Sequence, residues 1–598
     1  MTIAPPHAFV RSSVTAHVSL TLLLLHACAA PPATPEADLL IVNARVYTLA
    51  WGEPSADGTP APDAPYDSLT GWRPDAEAVA VRGGRILFVG SNADAERFRG
   101  DRTQVLDAAG GTLIPGLIDA HVHLASLGAS LAQVDLVGVE SEVEAVERVA
   151  ARAAEVPPGE WIIGYGWDEG AWANRYPDHR LLSERVPDHP VYLRGLHGFA
   201  GWANRLALER AGITRNTRAP RGGQIRRDRR GEPTGVLLDR ATSLVEAVIP
   251  PPTPEEVESR IVAALQEVVR SGYTMVHEAG ADSLTLAVLQ RLDSAGRLPV
   301  RVFVMLSARD TALLDEWIQR GPDTARTAML RVAGVKAFYD GALGSRGAWL
   351  LEDYTDLPGH RGVDREGYGV DQARITALLR AGFQVSIHAI GDAANRAALD
   401  FFSRAFAAVP DARETRHRIE HAQVVHPRDV HRFGELGIIA SMQPAHAVED
   451  KAWAEARLGP HRISGAYAWR TLRRGGARLV LSSDLPGSDH DIFYGLHSAI
   501  TRRDRELQPP MGWYASQRLQ PEEAVRGYTI WAAYASHLET EAGMIAPGRL
   551  ADLTLLDVDP FVAGTRDPTR LPDGRVIATI VGGVVRYSDG VAMVAGRR

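Results

Sequence analysis

The stretch Gly111–Gly128, "GTLIPGLIDAHVHLASLG", decides how the rest of the chain reads. It is an apolar run that ends on two histidines, His121 and His123, with Val122 between them. In a strand, residues i and i+2 face the same way, so both imidazoles can point to one side while Val122 packs on the other. Two imidazoles so placed are either incidental or two ligands aimed at one metal ion. A His-x-His pair alone does not separate these readings; the missing ligands have to come from elsewhere in the chain.

Downstream, strands alternate with amphipathic helices. "EEVESRIVAALQEVVRSG" (Glu255–Gly272) has apolar residues at helical spacing and Gly272 as its stop. "YTMVHEAG", "RVFVML", "RVAGVKAFYDG", "FQVSIHAIGD", "TRHRIEHAQVV", "LGIIASMQP" and "ARLVLSSDLPG" continue the strand series. Repeated β-then-α units predict an α/β fold, a TIM-like (β/α)8 barrel over 115–540, with its chemistry at the C-terminal strand ends. Polar residues stand there. Lys336 lies in "VAGVKAFYD", where an unpaired ammonium is costly. His388 ends "FQVSIHAIGD", His421 ends "RHRIEHAQ", and Asp484 ends "LVLSSDLPG" before Pro486 and Gly487. Imidazole and carboxylate suit a divalent Zn, Fe or Mn.

The two ends of the chain read as short strands. "DLLIVNARVYTLA", "EAVAVRGGRILFVG" and "TQVLDAAGGTLIPG" lie before the barrel, and "GRLADLTLLDVDP" and "RVIATIVGGVVRYSDG" after it. Neither block has enough residues for a separate core, so 38–114 and 541–598 are expected to form one small composite β-sandwich.

The 598 residues exceed what a single core supports, and 45% hydrophobic with 23% charged residues is an ordinary globular composition. A net charge of -8 argues against nucleic acid as the main partner. The one basic cluster, "IRRDRRGEP" (Ile225–Pro233), reads as a hairpin tip. The single cysteine, Cys28, rules out an intrachain disulfide. Before it, Arg11 and the apolar run "VTAHVSLTLLLLHAC" are too short for a comfortable membrane span and fit an export signal. Leu25, Ala27 and Cys28 resemble the lipobox of bacterial lipoproteins. The expectation is a signal in 1–28, lipidation at Cys28, a linker in 29–37, and an exported protein held to a membrane by its lipid on the periplasmic or outer-membrane side. A soluble periplasmic or secreted form is the alternative.

Taken together, "PGLIDAHVH", "GYGWDEGAW", "VKAFYDGALGSR", "HAIGDAAN", "RIEHAQ", "MQPAHAVED", "SSDLPG" and "GMIAPGRLADLTLLD" resemble the amidohydrolase superfamily, within it the amidohydrolase 3 group of formamide-deformylase-like hydrolases. The resemblance runs from about Asp38 to Tyr587. It implies that His121, His123 and Asp484 hold a first metal and that His388 and His421 hold a second. Lys336, carboxylated by CO2, would bridge them; an unmodified Lys336 beside a single ion is the alternative. It further implies hydrolysis of a non-peptide, amide-like C–N bond in a small molecule by a metal-activated hydroxide, with Asp484 as general base and then general acid. Superfamily hydrolysis of an ester or cyclic imide, deamination, and a binding protein without activity are the competing readings. Deaminases of the superfamily carry a Glu shortly after the histidine of the fifth strand, where "HAIGDAAN" has Asp392 instead.

Candidate substrate contacts are Trp167, Arg346, His446 and His197. Arg346 could grip a substrate carboxylate bidentately or pair with Asp340. "LRGLHGFAGWANRLAL" departs from the group, which has Asp-Gly-His where this chain has His197, Gly198 and Phe199. His277 and Glu278 in "VHEAG" are candidate supports for the ligands or satisfied core residues.

Overall fold

The computed structural model describes residues 35–167, 176–195, 200–220, 223–366, 370–590 and 593–595. Eight parallel strands form one sheet: β1 (Leu117–Val122), β2 (Tyr273–Ala281), β3 (Arg301–Ser307), β4 (Leu330–Phe338), β5 (Gln384–Ala389), β6 (Arg418–His421), β7 (Ile439–Met442) and β8 (Arg478–Leu481). They follow one another in chain order around the sheet. The ring closes just beyond β8, where Val122 bridges Leu485 in parallel. There the Asp484 N–H donates to the His121 carbonyl and the His123 N–H to the Leu485 carbonyl, both at 3.0 Å.

The helices on the outside start where the sequence supplies caps. Asp282, Asp310 and Asp371 each accept the amide three residues on, at the heads of helices Ser283–Ser294, Thr311–Arg320 and Gln372–Arg380. Helix Asp392–Ala408 begins at Gly391, where a Cβ would stand 2.0 Å from the Trp349 carbonyl oxygen. Only glycine lets β5 turn this closely into its helix.

The chain ends build the expected sandwich. One five-stranded sheet joins strands from 39–107 with Met593–Ala595; the other joins strands at 45–46 and 112–115 with three from 553–588. Leu39, Ile41, Val79, Leu106, Leu113, Leu553, Leu555 and Ile580 pack between them. A buried ion pair ties this layer to the barrel: Arg301 of β3 donates to Asp552 at 2.7 Å, and Asp552 also accepts the Gly582 N–H.

One layer departs from the sequence reading. Between β1 and β2 the chain builds a separate six-stranded mixed sheet from strands within 134–239. It has its own core of Val134, Leu136, Val149, Trp167, Leu193, Trp202 and Val236. Its strands alternate with helices as barrel strands do, so periodicity alone does not set it apart. The basic cluster does form a hairpin tip, between Gly223–Arg227 and Pro233–Asp239. The helix Pro521–Gly527 begins on its proline, which fits the first helical position. Among the described residues no helix is long and apolar enough to cross a membrane.

His417, at the entry to β6, gives the fold an acid sensitivity. Its ring is buried against Phe402 and Phe406. The Val385 N–H donates to Nδ1 at 2.9 Å, and Nε2 sits 2.7 Å from Thr415 Oγ1. That pairing needs a neutral imidazole. Burial pushes its pKa down from 6.5 to about 3. Below pH 6.5 the unfolded chain therefore takes up a proton that the fold refuses, and stability falls as pH drops toward 3. His417→Gln should flatten the fall of Tm between pH 6.5 and 4 relative to wild type. Parallel Tm–pH curves would contradict this.

Candidate metal centre

The closure of the barrel sets the site. β1 delivers His121 and His123, and the turn after β8 delivers Asp484 across the seam. Asp484 Oδ1 lies 3.4 Å from His121 Nε2 and 3.3 Å from His123 Nε2. From the far side come Lys336 of β4, His388 of β5 and His421 at the end of β6. Register places Phe338 beside His388 and Ala389 beside His421. The His388 and His421 ring centroids are 4.4 Å apart, and those of His121 and His421 are 5.1 Å apart.

Backbone shape matters here. In a regular strand His421 would face away from Glu420. It reaches the barrel mouth because its φ is +70°, and Asp484 does so at φ +62°. Non-glycine residues in this region cost of order 1–3 kcal/mol each, and such strain clusters at functional sites.

Hydrogen bonds aim three of the imidazoles, His121, His388 and His421. His121 Nδ1 lies 2.6 Å from Glu420 Oε2, which leaves Nε2 facing the cavity. Arg418 Nε donates to Glu420 Oε1 at 2.7 Å, and Arg418 Nη1 lies 2.9 Å from His277 Nδ1. Burial opposes ionisation of Glu420, but Arg418 and His121 outweigh it and hold the carboxyl well below the usual range. Gln443 donates to Ser482 Oγ at 2.9 Å, so its Oε1 accepts from His421 Nδ1, also at 2.9 Å. His388 hydrogen-bonds the Gly341 backbone, and its buried Nε2 has no hydrogen-bond partner. Glu278 Oε2 accepts the Leu124 N–H at 2.8 Å, fixing the turn that follows His123.

The electrostatics favour ligation. Burial, then the charge of Lys336, pushes His121 down to about 4 and His388 to about 3. Burial also holds His421 well below its ordinary value. All three are neutral donors at physiological pH. Burial resists charge on Asp484, yet His121, His123 and His421 keep its carboxyl well below the usual range. Lys336 is buried, its Nζ 2.9 Å from His121 Nε2, and burial lowers its pKa to about 8. Ligand atoms of His121, His421 and Asp484 lie within 4.8 Å of one another. Neutral imidazoles aimed by their second nitrogens, a carboxylate and the orphaned His388 Nε2 fit a divalent cation with nitrogen and oxygen ligands.

Above the ligands opens a cavity of about 360 Å³, walled also by Phe338, Ile390, Gln423, His446 and Trp453. His446 stands as expected at this wall, Nε2 3.9 Å from Asp484 Oδ2 and its ring stacked on His421. Two other expectations need correction. Trp167 is fully buried in the inserted sheet, packed on Trp202 and donating to the Leu193 carbonyl, so it has no surface to offer a ligand. Arg346 forks onto Asp356 at 3.1 and 2.8 Å, and Asp340 instead accepts the backbone N–H groups of Trp349, Ile390 and Gly391. His197 and Cys28 lie outside the described residues. Sequence reasoning missed Glu420, Arg418 and Gln443. Two opposite charges at i and i+2 of the strand stretch "RHRIEHAQ" were the available signal for the first pair.

Comparison with known proteins agrees with this geometry. Residues 104–587 match a family model described as the amidohydrolase family. The chain is 34% identical to Protein LONG AFTER FAR-RED 3 of Arabidopsis thaliana, over 93% of each chain. It is 28% identical to the N-substituted formamide deformylase of Arthrobacter pascens, over 93% of this chain and 99% of that one. A crystal structure of an uncharacterized metal-dependent hydrolase from Pyrococcus furiosus superposes with a TM-score of 0.67 and 28% identity, covering 88% of this chain and 99% of that one.

If Glu420 aims His121, Glu420→Gln should weaken metal binding by about 10–100-fold. Chelator competition on the purified variant measures this. An unchanged affinity would assign Glu420 to the barrel core alone.

Proposed function

Because the chain belongs to the amidohydrolase family, whose members are metal-dependent hydrolases of C–N bonds, we propose that it cleaves a non-peptide, amide-like C–N bond in a small molecule. The observation that carries this reading is the convergence of His121, His421 and Asp484 at the mouth of a closed parallel barrel, beside a buried lysine. In this reading His121, His123 and Asp484 would hold one divalent ion, zinc first among the candidates, and His388 and His421 would hold a second. Lys336 would join the two sites. Burial brings its amine to about 8, so a useful fraction is neutral and can add to CO2 with loss of a proton. The resulting carbamate is an anion with two oxygens, suited to bridging.

A divalent cation bound there supplies Lewis acidity, which polarises a carbonyl oxygen and lowers the pKa of a water molecule. The protein's own groups do the rest. Asp484 is ionised, and its Oδ2 is free to take the proton of the attacking water and return it to the leaving nitrogen. Glu420 and Gln443 keep the His121 and His421 rings from turning. Phe338, Ile390 and Trp453 present apolar surface that thins the water around the reacting bond.

We also propose, on the sequence of 14–28, that the enzyme is exported and lipid-anchored through Cys28. Palmitate labelling should mark the wild type and spare Cys28→Ser; an unlabelled wild type would end that proposal.

Lys336→Ala should lose bound metal and activity together, measured by metal analysis and turnover. Full metal content in that variant would refute the bridge. A panel of N-acyl, N-formyl, ester and cyclic-imide substrates tests the bond class on metal-loaded protein. Turnover confined to the esters would contradict C–N hydrolysis.

A further inference from the structure

Beyond Lys336 and Asp484 of the metal centre, the described wall of the catalytic cavity carries two further carboxylates, Glu449 and Asp450, and no other Lys or Arg. Their placement follows from one short helix, Pro444–Glu449. It sets His446 against His421 and Asp484, and Glu449 and Asp450 follow His446 at i+3 and i+4. Residues so spaced share one side, one turn or roughly 5.4 Å further along. Each acid keeps an oxygen in reserve. Glu449 Oε2 accepts from Ser488 Oγ at 2.7 Å, while its Oε1 has no partner among the described residues. Asp450 Oδ2 accepts from the Tyr467 hydroxyl at 2.5 Å and from Gln423 at 3.3 Å, while its Oδ1 has none among the described residues.

The cations that neighbour this wall are engaged elsewhere. Lys451 donates to Asp504 at 2.5 Å and to the Val448 carbonyl at 3.0 Å. Arg457 and Arg346 both pair with Asp356. An anionic substrate group set against Glu449 and Asp450 would therefore meet two carboxylates whose neighbouring cations are already paired. A cationic group would gain charge-assisted hydrogen bonds and the aromatic surface of Trp453.

We propose that the substrate is an N-acyl compound bearing a cation, either an ammonium, an amidinium or a guanidinium, about one helical turn from the scissile C–N bond, and that Glu449 and Asp450 bind it. This rests on the amidohydrolase reading and adds its substrate class. It replaces the expected carboxylate grip at Arg346 with the opposite charge preference.

The test is a matched series on the metal-loaded full chain: mono-N-acetyl-1,4-diaminobutane, N-acetylbutylamine and 4-acetamidobutanoate. Calorimetry reads binding, and released acetate reads cleavage. The cationic amide should bind at least about tenfold more tightly than the neutral one, and the anionic one most weakly. The double variant Glu449→Gln, Asp450→Asn, with its fold checked by circular dichroism, should bring the cationic amide to the neutral affinity. Equal affinities across the wild-type series, or no binding by any member, overturn the proposal without reference to the variant. Cleavage without a charge preference overturns it and leaves the hydrolase reading standing. A charge preference in binding with no acetate released upholds the cation site and counts against the hydrolase reading.

Discussion

Everything at the site depends on the seam between the first and last barrel strands. Two backbone hydrogen bonds, from Asp484 to His121 and from His123 to Leu485, close the ring. Three of the four residues that make them, His121, His123 and Asp484, are residues whose side chains would hold metal. Closure and ligation are thus one structural event: a barrel that failed to close would separate His121 and His123 from Asp484. The left-handed backbone at Asp484 and His421 sits at this same rim, where a local cost is tolerated because the surrounding sheet fixes the chain on both sides.

Burial does the electrostatic work. Removing imidazoles from water disfavours their charged forms, so the site collects neutral nitrogen donors without needing alkaline conditions. The same desolvation would be ruinous for Glu420 if Arg418 were not beside it. Both are fully buried, and breaking such a pair leaves a bare charge in the core, at a cost of about 3–5 kcal/mol. The pair therefore reads as orientation rather than stabilisation: it keeps an acceptor fixed at His121 Nδ1. The outer wall is acidic, with Glu449 and Asp450 among the residues that line the cavity.

Much of this was legible in the sequence, for a physical reason. Barrel strands end where chemistry begins, so His121, His123, His388, His421 and Asp484 fell at strand ends, and the apolar surroundings of Lys336 marked it as special. The composite sandwich was legible because neither terminal block could bury a core alone. The inserted sheet of 134–239 was not, since short strands interleaved with helices look the same inside or outside a barrel. Trp167 misled for that reason: an aromatic near a strand end reads as pocket lining until the strand is known to belong to another sheet. Arg346 misled because its partner, Asp356, lies ten residues on in a loop that no periodicity describes. Gln443 carried no signal beyond following an apolar strand.

The central claim is that six residues from five strand ends make one metal centre at the barrel seam. Anomalous diffraction from crystals soaked in a zinc salt, collected at the zinc edge, tests it most directly. The account predicts anomalous density within the cluster of His121, His123, His388, His421 and Asp484. A peak elsewhere, with that space empty, would contradict it.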